Sequence, residues 1–323
     1  MKKELKNYFL NHQGKLSDKW TLYIEEWDSI FSSYKNEEIN LLEIGIQNGG
    51  SLEIWSQFFK NANLIIGCDI DSKCSELHFE DPRISVIVGD VNTFETEQNI
   101  LETSKNYDII IDDGSHTSAD VIESFSRYFP HINDGGIYVI EDLHTSYWND
   151  FGGGLYTPFS SMAFLKRIAD VINFEHWRNN ETRKEFLRIY EQKFGMNFEE
   201  YDLCRIHSIK FINSLCIITK KPPETNSLGT RVIRGSDEKI TNNWDKLNGT
   251  SIQDIVSSIK DDSHFGVLSL IHQNQLLEDE RQRQEKIIEE KEREILYYAL
   301  SKSWKITRPL RKFMSLFKKN DAT

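Results

Sequence analysis

The sequence predicts an α/β fold in which a doubly wound, mostly parallel sheet ends in an antiparallel hairpin and precedes a helical C-terminal extension. Two observations predict this fold. Short, continuously apolar runs alternate with polar, helix-compatible segments between residues 40 and 142, and two β-rich runs then meet at Asn213 and Ser214. Continuous apolarity is typical of parallel strands that helices cover on both faces.

Five apolar runs are predicted to be the parallel strands, in the order INLLEIG, NLIIGCDI, ISVIVGD, YDIIIDD and GIYVIED. Because helix-compatible segments connect them, they predict a Rossmann-like sheet. The segment 205–220, RIHSIKFINSLCIITK, predicts the hairpin that adds an antiparallel strand. A polar insertion at 158–200 follows the fifth strand, where it could cover a substrate.

Changes in composition divide the chain into five predicted regions. A helical segment and an α/β domain come first, and a linker then leads to a charged helix and a basic tail. The charged helix has only a thin apolar line, which includes Leu270, Leu277, Ile288 and Ile295, so a coiled coil and a solvated helix both stay open. The predicted regions are 1–35, 36–222, 223–262, 263–300 and 301–323.

The charge balance limits the classes of partner. With 39 basic and 51 acidic residues the net charge is -12, which argues against nucleic acid as a partner. The chain begins without the apolar core of a signal peptide, and no run of roughly eighteen apolar residues follows, which predicts a cytoplasmic protein. The four cysteines form no C-x-x-C pair, so reduced thiols are expected.

A glycine-rich turn follows the first predicted strand, where doubly wound folds bind a nucleotide-like cofactor. Its pattern, E-x-G-x-x-x-G-G, differs from the G-x-G-x-x-G that brings backbone amides to a pyrophosphate. A cofactor without phosphates at this point suits the pattern better, and S-adenosylmethionine is the common one. Glu43, Gly45, Gly49 and Ser51 are the cofactor candidates, although a turn that only connects strand and helix would look the same.

Two acids follow the next strands. Asp69 ends the second strand, where a carboxylate would accept hydrogen bonds from ribose hydroxyls, and Asp90 follows the third strand, on the adenine side. Each has a plain alternative as a helix cap, and Asp71 competes with Asp69 for either role. Their placement at successive strand ends favours a nucleoside site.

The fourth and fifth strands each end in two adjacent acids. Asp112 and Asp113 follow the fourth, with His116 three residues later, and Glu141 and Asp142 follow the fifth. Neighbouring parallel strands bring these carboxylates together, where like charges raise one another's pKa unless a cation compensates them. Oxygen ligands without cysteine favour Mg²⁺, with Mn²⁺ or Ca²⁺ as alternatives. His116 is suited to accept a proton from a hydroxyl that the ion polarises.

The bland interpretation of these acids is that they cap the following helices while His116 packs locally. Downstream, His144, Tyr147 and Trp148 are candidate substrate contacts in EDLHTSYW, and they could equally form only the wall of a pocket. The segment 151–154, FGGG, is flexible enough for a closing loop.

Three segments, EIGIQNGGSL, DDGSH and VIEDLHTSYW, resemble the class I S-adenosylmethionine-dependent, metal-dependent O-methyltransferases of macrolide deoxysugars, a family similar to the cephalosporin-hydroxylase-type group. The resemblance covers about residues 39–221. It implies that Asp113, Glu141 and Asp142 ligate Mg²⁺ and that His116 is the base, which leaves Asp112 as support on the cofactor side. It also implies a sugar or glycan as the acceptor.

The leading hypothesis is therefore a sugar O-methyltransferase of bacterial surface glycan or glycosylated natural product biosynthesis. An NAD-dependent oxidoreductase on the same fold and a non-catalytic scaffold of glycan assembly are the alternatives. The tail SKSWKITRPLR is similar to a stretch found in enzymes of surface-polysaccharide assembly. Its cations and aromatic residues could sit at the inner face of the membrane or dock on a partner, and a disordered tail is the other interpretation. A homo-oligomer stays open.

Overall fold

The computed structural model describes residues 4–177, 179–237, 239–240, 243–252, 265–300 and 307. The chain forms two compact units, Met1–Ser263 and His264–Thr323. The first contains the sheet with its helices, and the second contains one long helix.

Seven strands form one sheet in the order β3-β2-β1-β4-β5-β7-β6. The first five are parallel, and β7 is antiparallel to both β5 and β6. The predicted doubly wound sheet with a closing hairpin is confirmed. The strands are β1 (Asn40–Ile44), β2 (Leu64–Asp69), β3 (Ile84–Val88), β4 (Tyr107–Asp112), β5 (Ile132–Ile140), β6 (Ile206–Ile212) and β7 (Leu215–Lys220).

The register of the central strands places their carboxyl ends side by side. Ile44 of β1 pairs with Asp112 of β4, and Asp112 in turn pairs with Ile140 of β5. The residues that follow these three strands therefore emerge at one edge of the sheet, as ligand sites of open α/β sheets do.

Helices cover both faces of the sheet, which explains why the central strands are apolar on both sides. One face packs against α4 to α7 and the other against α1 to α3. The helices are α1 (Glu4–Asn11), α2 (Thr21–Phe31), α3 (Gly50–Phe58), α4 (Phe94–Thr103), α5 (Ser118–Tyr128), α6 (Ser161–Ile172), α7 (Arg183–Phe194), α8 (Glu200–Leu203) and α9 (Phe265–Leu300).

The insertion at 158–200 forms part of the core layer. Its helices α6 and α7 are amphipathic, and Phe164 of α6 packs against Phe125 of α5, Tyr190 of α7 and Phe198. All four side chains are buried. Burial of these aromatic rings keeps both helices on the sheet face, so they do not provide the cover over a substrate that their position in the sequence suggested.

The N-terminal helices α1 and α2 are anchored on the opposite face by aromatic packing. Trp27 of α2 is fully buried and lies 5.1 Å from the ring of Trp55 in α3. The connection between α1 and α2 crosses the glycine turn closely, since a Cβ on Gly50 would lie 2.2 Å from the carbonyl oxygen of Lys15. Residues 12–20 therefore run along the same sheet edge at which the strand-end acids emerge.

Helix α9 stands in the second unit. Its described side chains, at 278 and 281–297, are exposed, and Ile288 and Ile295 of the predicted apolar line are among them. Ion pairs about one turn apart, such as Lys291 with Glu294 at 3.2 Å, join some of these side chains. The tail 301–323 lies outside the described residues apart from Thr307. Within the described chain, no helix combines the length and apolarity needed to span a membrane.

Candidate active site

A cavity of about 280 Å³ opens beside the glycine turn, at the carboxyl ends of the parallel strands. Four of the seven predicted cofactor residues line this glycine-turn cavity, namely Gly45, Asp69, Asp90 and Asp112. Its remaining lining comes mainly from the segments after β3 and β4. The sequence prediction therefore located the edge of the sheet and four of the residues that line a cavity there.

The other three predicted cofactor residues have different surroundings. Glu43 is fully buried and accepts hydrogen bonds from Ser51 Oγ at 2.7 Å and Trp55 Nε1 at 3.0 Å. Gly49 packs against Phe79 and precedes α3, which begins at Gly50. Glu43 and Ser51 bond to each other beneath the turn, so their contribution to the cavity is structural support.

Asp69 shapes the glycine turn through its carboxylate. Oδ2 accepts the backbone N–H groups of Ile46 at 2.9 Å and Gln47 at 2.8 Å, and Oδ1 accepts that of Asp71 at 2.9 Å. Asp71 itself caps the following short helix by accepting the N–H of Lys73. The two acids thus have different roles, since Asp69 lines the cavity and Asp71 is a helix cap.

Gly45 allows the first strand to approach the fourth. Its φ is +83°, and a Cβ at this position would lie 2.1 Å from the carbonyl oxygen of Asp113. A side chain is therefore excluded both by backbone conformation and by contact. This close approach brings the glycine turn next to the acids that follow β4.

Asp112 is buried at the base of the cavity. Tyr138 donates a hydrogen bond to its Oδ2 at 3.2 Å. Burial raises the pKa of Asp112 to about 7, against the opposing effect of the Gly114 N–H. Near neutral pH the carboxyl group can therefore act as donor as well as acceptor towards a ligand.

Asp113, His116 and Asp142 direct their polar atoms at one another. His116 Nε2 lies 3.7 Å from Asp113 Oδ1 and 3.7 Å from Asp142 Oδ2. One ligand atom from each residue lies within 4.8 Å of the other two, which is close enough for a shared metal ion. Two carboxylate oxygens and an imidazole nitrogen provide ligands for a divalent cation with room for further oxygens.

The backbone is strained at these residues. His116 has φ +59° and Asp142 has φ +52°, in the left-handed region that residues with a Cβ rarely adopt. The Thr145 hydroxyl lies 3.0 Å from the His116 carbonyl oxygen and 2.8 Å from that of Asp142, so it can hold either segment. Of the five non-glycine residues with positive φ that the structure describes, four lie at this sheet edge, where Gln47 and Ser214 complete the set. Such concentration of strain is typical of functional sites.

Lys19, from the connection between α1 and α2, enters the acid cluster and was not predicted. Its Nζ contacts Asp113 Oδ2, lies 3.1 Å from both oxygens of Glu141, and is 3.5 Å from Glu43 Oε1. The side chain is only 4% exposed. Glu141 thus faces Lys19, while Asp142 faces His116. Of the three predicted ligands, Asp113 and Asp142 have ligand atoms close together with His116, whereas the ammonium group of Lys19 lies between Asp113 and Glu141.

Mutual charge effects keep this cluster ionised in part. Burial alone would lower the pKa of Lys19, but attraction by Glu141, Asp113 and Glu43 holds that pKa well above its usual value. Burial raises the pKa of Asp113 and of Glu141, and Lys19 opposes the rise in both. The ammonium therefore stays charged, and the cluster contains more acid than one lysine neutralises.

A second cavity of about 400 Å³ adjoins the acid cluster. Trp20 Nε1 and the Tyr23 hydroxyl each lie 2.9 Å from Asp142 Oδ1, so the wall of this aromatic cavity is bonded directly to the acids. Its lining residues are Trp20, Leu22, Tyr23, His144, Trp148, Asn213 and Ser214.

Two of the three predicted substrate residues line the aromatic cavity. The His144 and Trp148 rings lie 4.9 Å apart, and His144 Nδ1 is 2.6 Å from Ser214 Oγ. Tyr147 is 43% exposed and does not line this cavity. Trp20 and Tyr23, like Lys19, come from the N-terminal segment, where no motif marked them. The available signal was indirect, because a cluster of buried acids requires cations and hydrogen-bond donors from elsewhere in the chain.

Comparisons with known proteins relate part of the chain to methyltransferases. Residues 42–143 match a family model described as a methyltransferase domain. Demethylmacrocin O-methyltransferase of Streptomyces fradiae is 38% identical over 173 residues, which cover 50% of this chain and 43% of that protein. Mycinamicin VI 2''-O-methyltransferase of Micromonospora griseorubida is 37% identical over 171 residues, covering 50% and 42%. The chain thus spans less than half the length of these two curated relatives.

Solved structures extend the likeness to the fold. The MycE methyltransferase from the mycinamycin biosynthetic pathway, in complex with Mg and SAH, superposes with a TM-score of 0.53 at 30% identity. The superposition covers 71% of this chain and 57% of that one. Residues 42–143 therefore match a methyltransferase domain, the sheet has the class I methyltransferase fold, and the chain is similar to deoxysugar O-methyltransferases of macrolides and tetracenomycin.

Proposed function

We propose that this chain is an S-adenosylmethionine- and Mg²⁺-dependent O-methyltransferase that acts on a sugar hydroxyl. The acceptor would be a glycosylated natural product or a bacterial surface glycan such as O-antigen or capsule. The observation that carries the proposal is the arrangement of Asp113, His116 and Asp142 between two cavities. One cavity suits a nucleoside cofactor, and the other suits a sugar.

The lining of the glycine-turn cavity supports S-adenosylmethionine as the proposed cofactor. Its turn lacks the pyrophosphate pattern, and acids from two strand ends, Asp69 and Asp90, line it where a nucleoside would bind. The MycE complexes contain SAH, the demethylated form of the proposed cofactor. When bound, S-adenosylmethionine supplies an electrophilic methyl group on a sulfonium sulfur.

The donor atoms of the acid cluster fit a hard divalent cation. We assign Asp113, Glu141 and Asp142 as its protein ligands, since carboxylate oxygens are the ligands that Mg²⁺ prefers. The MycE complexes contain Mg. A bound ion would polarise a sugar hydroxyl and lower its pKa. The strained backbone at Asp142 fixes one carboxylate in place before the ion arrives.

His116 would accept the proton of the acceptor hydroxyl at Nε2. This nitrogen already faces Asp113 and Asp142, whose carboxylates would stabilise the imidazolium that forms. The sugar oxygen then forms a bond to the methyl carbon while the carbon–sulfur bond breaks, which releases S-adenosylhomocysteine. The methyl group carries no electrons away from sulfur, so no further oxidant or reductant is needed.

The aromatic cavity would hold the acceptor. Trp20, Tyr23 and Trp148 offer ring surfaces for the apolar face of a sugar, and His144 and Asn213 offer polar atoms for its hydroxyls. Because Trp20 and Tyr23 belong to the predicted region 1–35, we assign the catalytic unit to this segment together with the region 36–222.

Methyl transfer from labelled S-adenosylmethionine to a panel of glycosylated macrolides and lipid-linked or nucleotide sugars tests this function. Activity on one acceptor class should disappear with EDTA and return with Mg²⁺. Full transfer in EDTA would contradict the metal role.

The base is tested separately with His116→Asn. Turnover should fall by about 10²–10⁴-fold, the usual contribution of a positioned general base, while binding of S-adenosylhomocysteine in calorimetry stays near the wild-type value. Wild-type turnover in this variant would remove His116 from the mechanism. Calorimetry with NAD, run beside it, should show no binding.

A further inference from the structure

We propose that Lys19 is a tethered counter-ion that a divalent cation must displace, so that cation binding releases residues 16–20 from the acid cluster. This inference rests on the proposed function, because it concerns the same carboxylates. It adds a coupling between the metal site and the N-terminal wall of the acceptor cavity.

The contacts of Lys19 are those of a cation in a cation site. Its Nζ contacts Asp113 and lies 3.1 Å from both Glu141 oxygens, within a side chain that is 4% exposed. Glu43 Oε1, also buried, has no hydrogen bond among the described residues and lies 3.5 Å from the same ammonium. Three carboxylates from β1, β4 and β5 thus converge on one tethered positive charge.

A divalent ion bound to Glu141 would lie against the ammonium group. With His116 kept as the base, Glu141 is the third protein ligand proposed above, and both of its oxygens lie 3.1 Å from Lys19 Nζ. Ligand oxygens lie roughly 2.0–2.6 Å from Mg²⁺ or Ca²⁺, so the ion would sit within contact distance of the ammonium. Repulsion between a divalent and a monovalent cation at that distance favours departure of Lys19.

The segment that carries Lys19 is anchored at both ends. On one side, the Lys15 N–H and Nζ donate to Glu53 at 2.8 and 2.7 Å. On the other side, Thr21 begins α2, which is held by buried aromatic packing. The part of the segment that can move with Lys19 is therefore the connection between these two anchors, residues 16–20, and it includes Trp20, which is 59% exposed and lines the aromatic cavity.

Displacement of Lys19 would thus reshape the acceptor cavity. Trp20 Nε1 donates to Asp142 Oδ1, which belongs to the third proposed ligand, so ion binding affects both ends of the dipeptide Lys19 and Trp20. The cavity would take its acceptor-binding form only when the cation is present, which would order the binding events.

The test compares Mn²⁺ affinity in full-length wild type, Lys19→Met and Lys15→Met, with free Mn²⁺ measured by electron paramagnetic resonance. Lys19→Met should bind Mn²⁺ about tenfold or more tightly than wild type, because the ion no longer competes with an ammonium. Lys15→Met should match wild type, since Lys15 pairs with Glu53 outside the cluster. Equal or weaker binding by Lys19→Met would overturn the inference while leaving the metal site intact.

Absence of Mn²⁺ binding in both wild type and Lys19→Met would overturn the inference together with the metal part of the proposed function. Because Lys19→Met leaves acids uncompensated and could unfold without metal, a second measurement uses the wild type alone. Hydrogen exchange of the amides in 16–20 should become about tenfold faster or more with Mg²⁺, with the buried strand β4 unchanged. Unchanged or slower exchange in 16–20 would also overturn the inference.

Discussion

The hydroxyl oxygen of Tyr23 lies 2.9 Å from Asp142 Oδ1 and 2.9 Å from the carbonyl oxygen of Ser214. It also accepts the backbone N–H of Asp142 at 3.1 Å. One phenol of α2 therefore joins the end of β5 to the turn between β6 and β7. The strained backbone of both partners, with φ of +52° and +66°, is held in part by this side chain.

Replacing Tyr23 with Phe should lower the free energy of unfolding by about 1–2 kcal/mol, because the Asp142 N–H and Asp142 carboxylate lose a partner while the buried ring remains. Urea unfolding of the metal-free protein measures this change. Tyr8→Phe is the matched control, since among the described residues the Tyr8 hydroxyl makes no hydrogen bond, and its effect should be near zero. Equal losses in the two variants would contradict the assigned role of Tyr23.

Tyr147 and Trp148 are adjacent in the sequence, but only Trp148 lines the aromatic cavity. Trp148→Ala should raise KM for the sugar acceptor about tenfold, equivalent to roughly 1.4 kcal/mol of lost binding, because its ring lines the aromatic cavity. Tyr147→Ala should leave that KM unchanged. Steady-state kinetics with saturating cofactor makes the comparison, and an equal effect of both substitutions would place the acceptor elsewhere.

Gly45 and Gly135 share a positive φ, +83° and +90°, but differ in their surroundings. Gly135→Ala has no atom within 4 Å of the added Cβ and should cost only the backbone penalty, about 1–2 kcal/mol. Gly45→Ala adds a contact with the Asp113 carbonyl oxygen and should cost more, and it should also weaken binding of S-adenosylhomocysteine. Thermal unfolding and calorimetry measure the two effects, and equal costs would mean that the turn yields without displacing Asp113.

His131 should make stability depend on pH. Burial lowers the pKa of His131 below its ordinary value, and Lys220 adds to this effect, while a bond to the Lys105 carbonyl oxygen and the charges of Glu97 and Asp202 oppose it. The native state therefore favours neutral His131. Its contribution is present above about pH 6.5 and is lost as the pH falls below that value, because the unfolded chain then binds the extra proton.

The measurement is urea unfolding at pH 5 and pH 7.5 for wild type and His131→Asn. The loss of unfolding free energy at the lower pH should be smaller in the variant, by less than about 1.4 kcal/mol per pH unit, the limit for one proton. An identical pH dependence in both proteins would exclude His131 as a source.

Local pattern was enough to predict the sheet. Each central strand is apolar on both faces, so the continuous apolarity of the runs from INLLEIG to GIYVIED predicts that they are buried. The break at Asn213 and Ser214 marks the hairpin turn. The acids followed from the same reasoning, because their position after parallel strands determines the edge on which they emerge. Proximity in space was thus predictable for residues whose elements are hydrogen-bonded neighbours.

Lys19, Trp20 and Tyr23 could not be predicted in this way. They reach the site only because α1 and α2 pack on one face of the sheet, and that packing depends on aromatic contacts such as those of Trp27 with Trp55, which no local spacing reveals. Glu43 shows that position in the sequence can also suggest the wrong contacts for a side chain. Its place beside a glycine turn suggested a cofactor contact, but its bonds to Ser51 and Trp55 are made beneath the turn.

The bond between Tyr23 and Ser214 joins residues 191 positions apart. On a ribosome, which delivers the chain from its N-terminus, the five parallel strands would emerge long before the hairpin that supplies Ser214. Until then Tyr23 cannot bond to the Ser214 carbonyl oxygen, and the set of hydrogen bonds around Asp142 is incomplete. A nascent or prematurely ended chain would therefore present the glycine-turn cavity without a completed aromatic cavity until synthesis has passed β7.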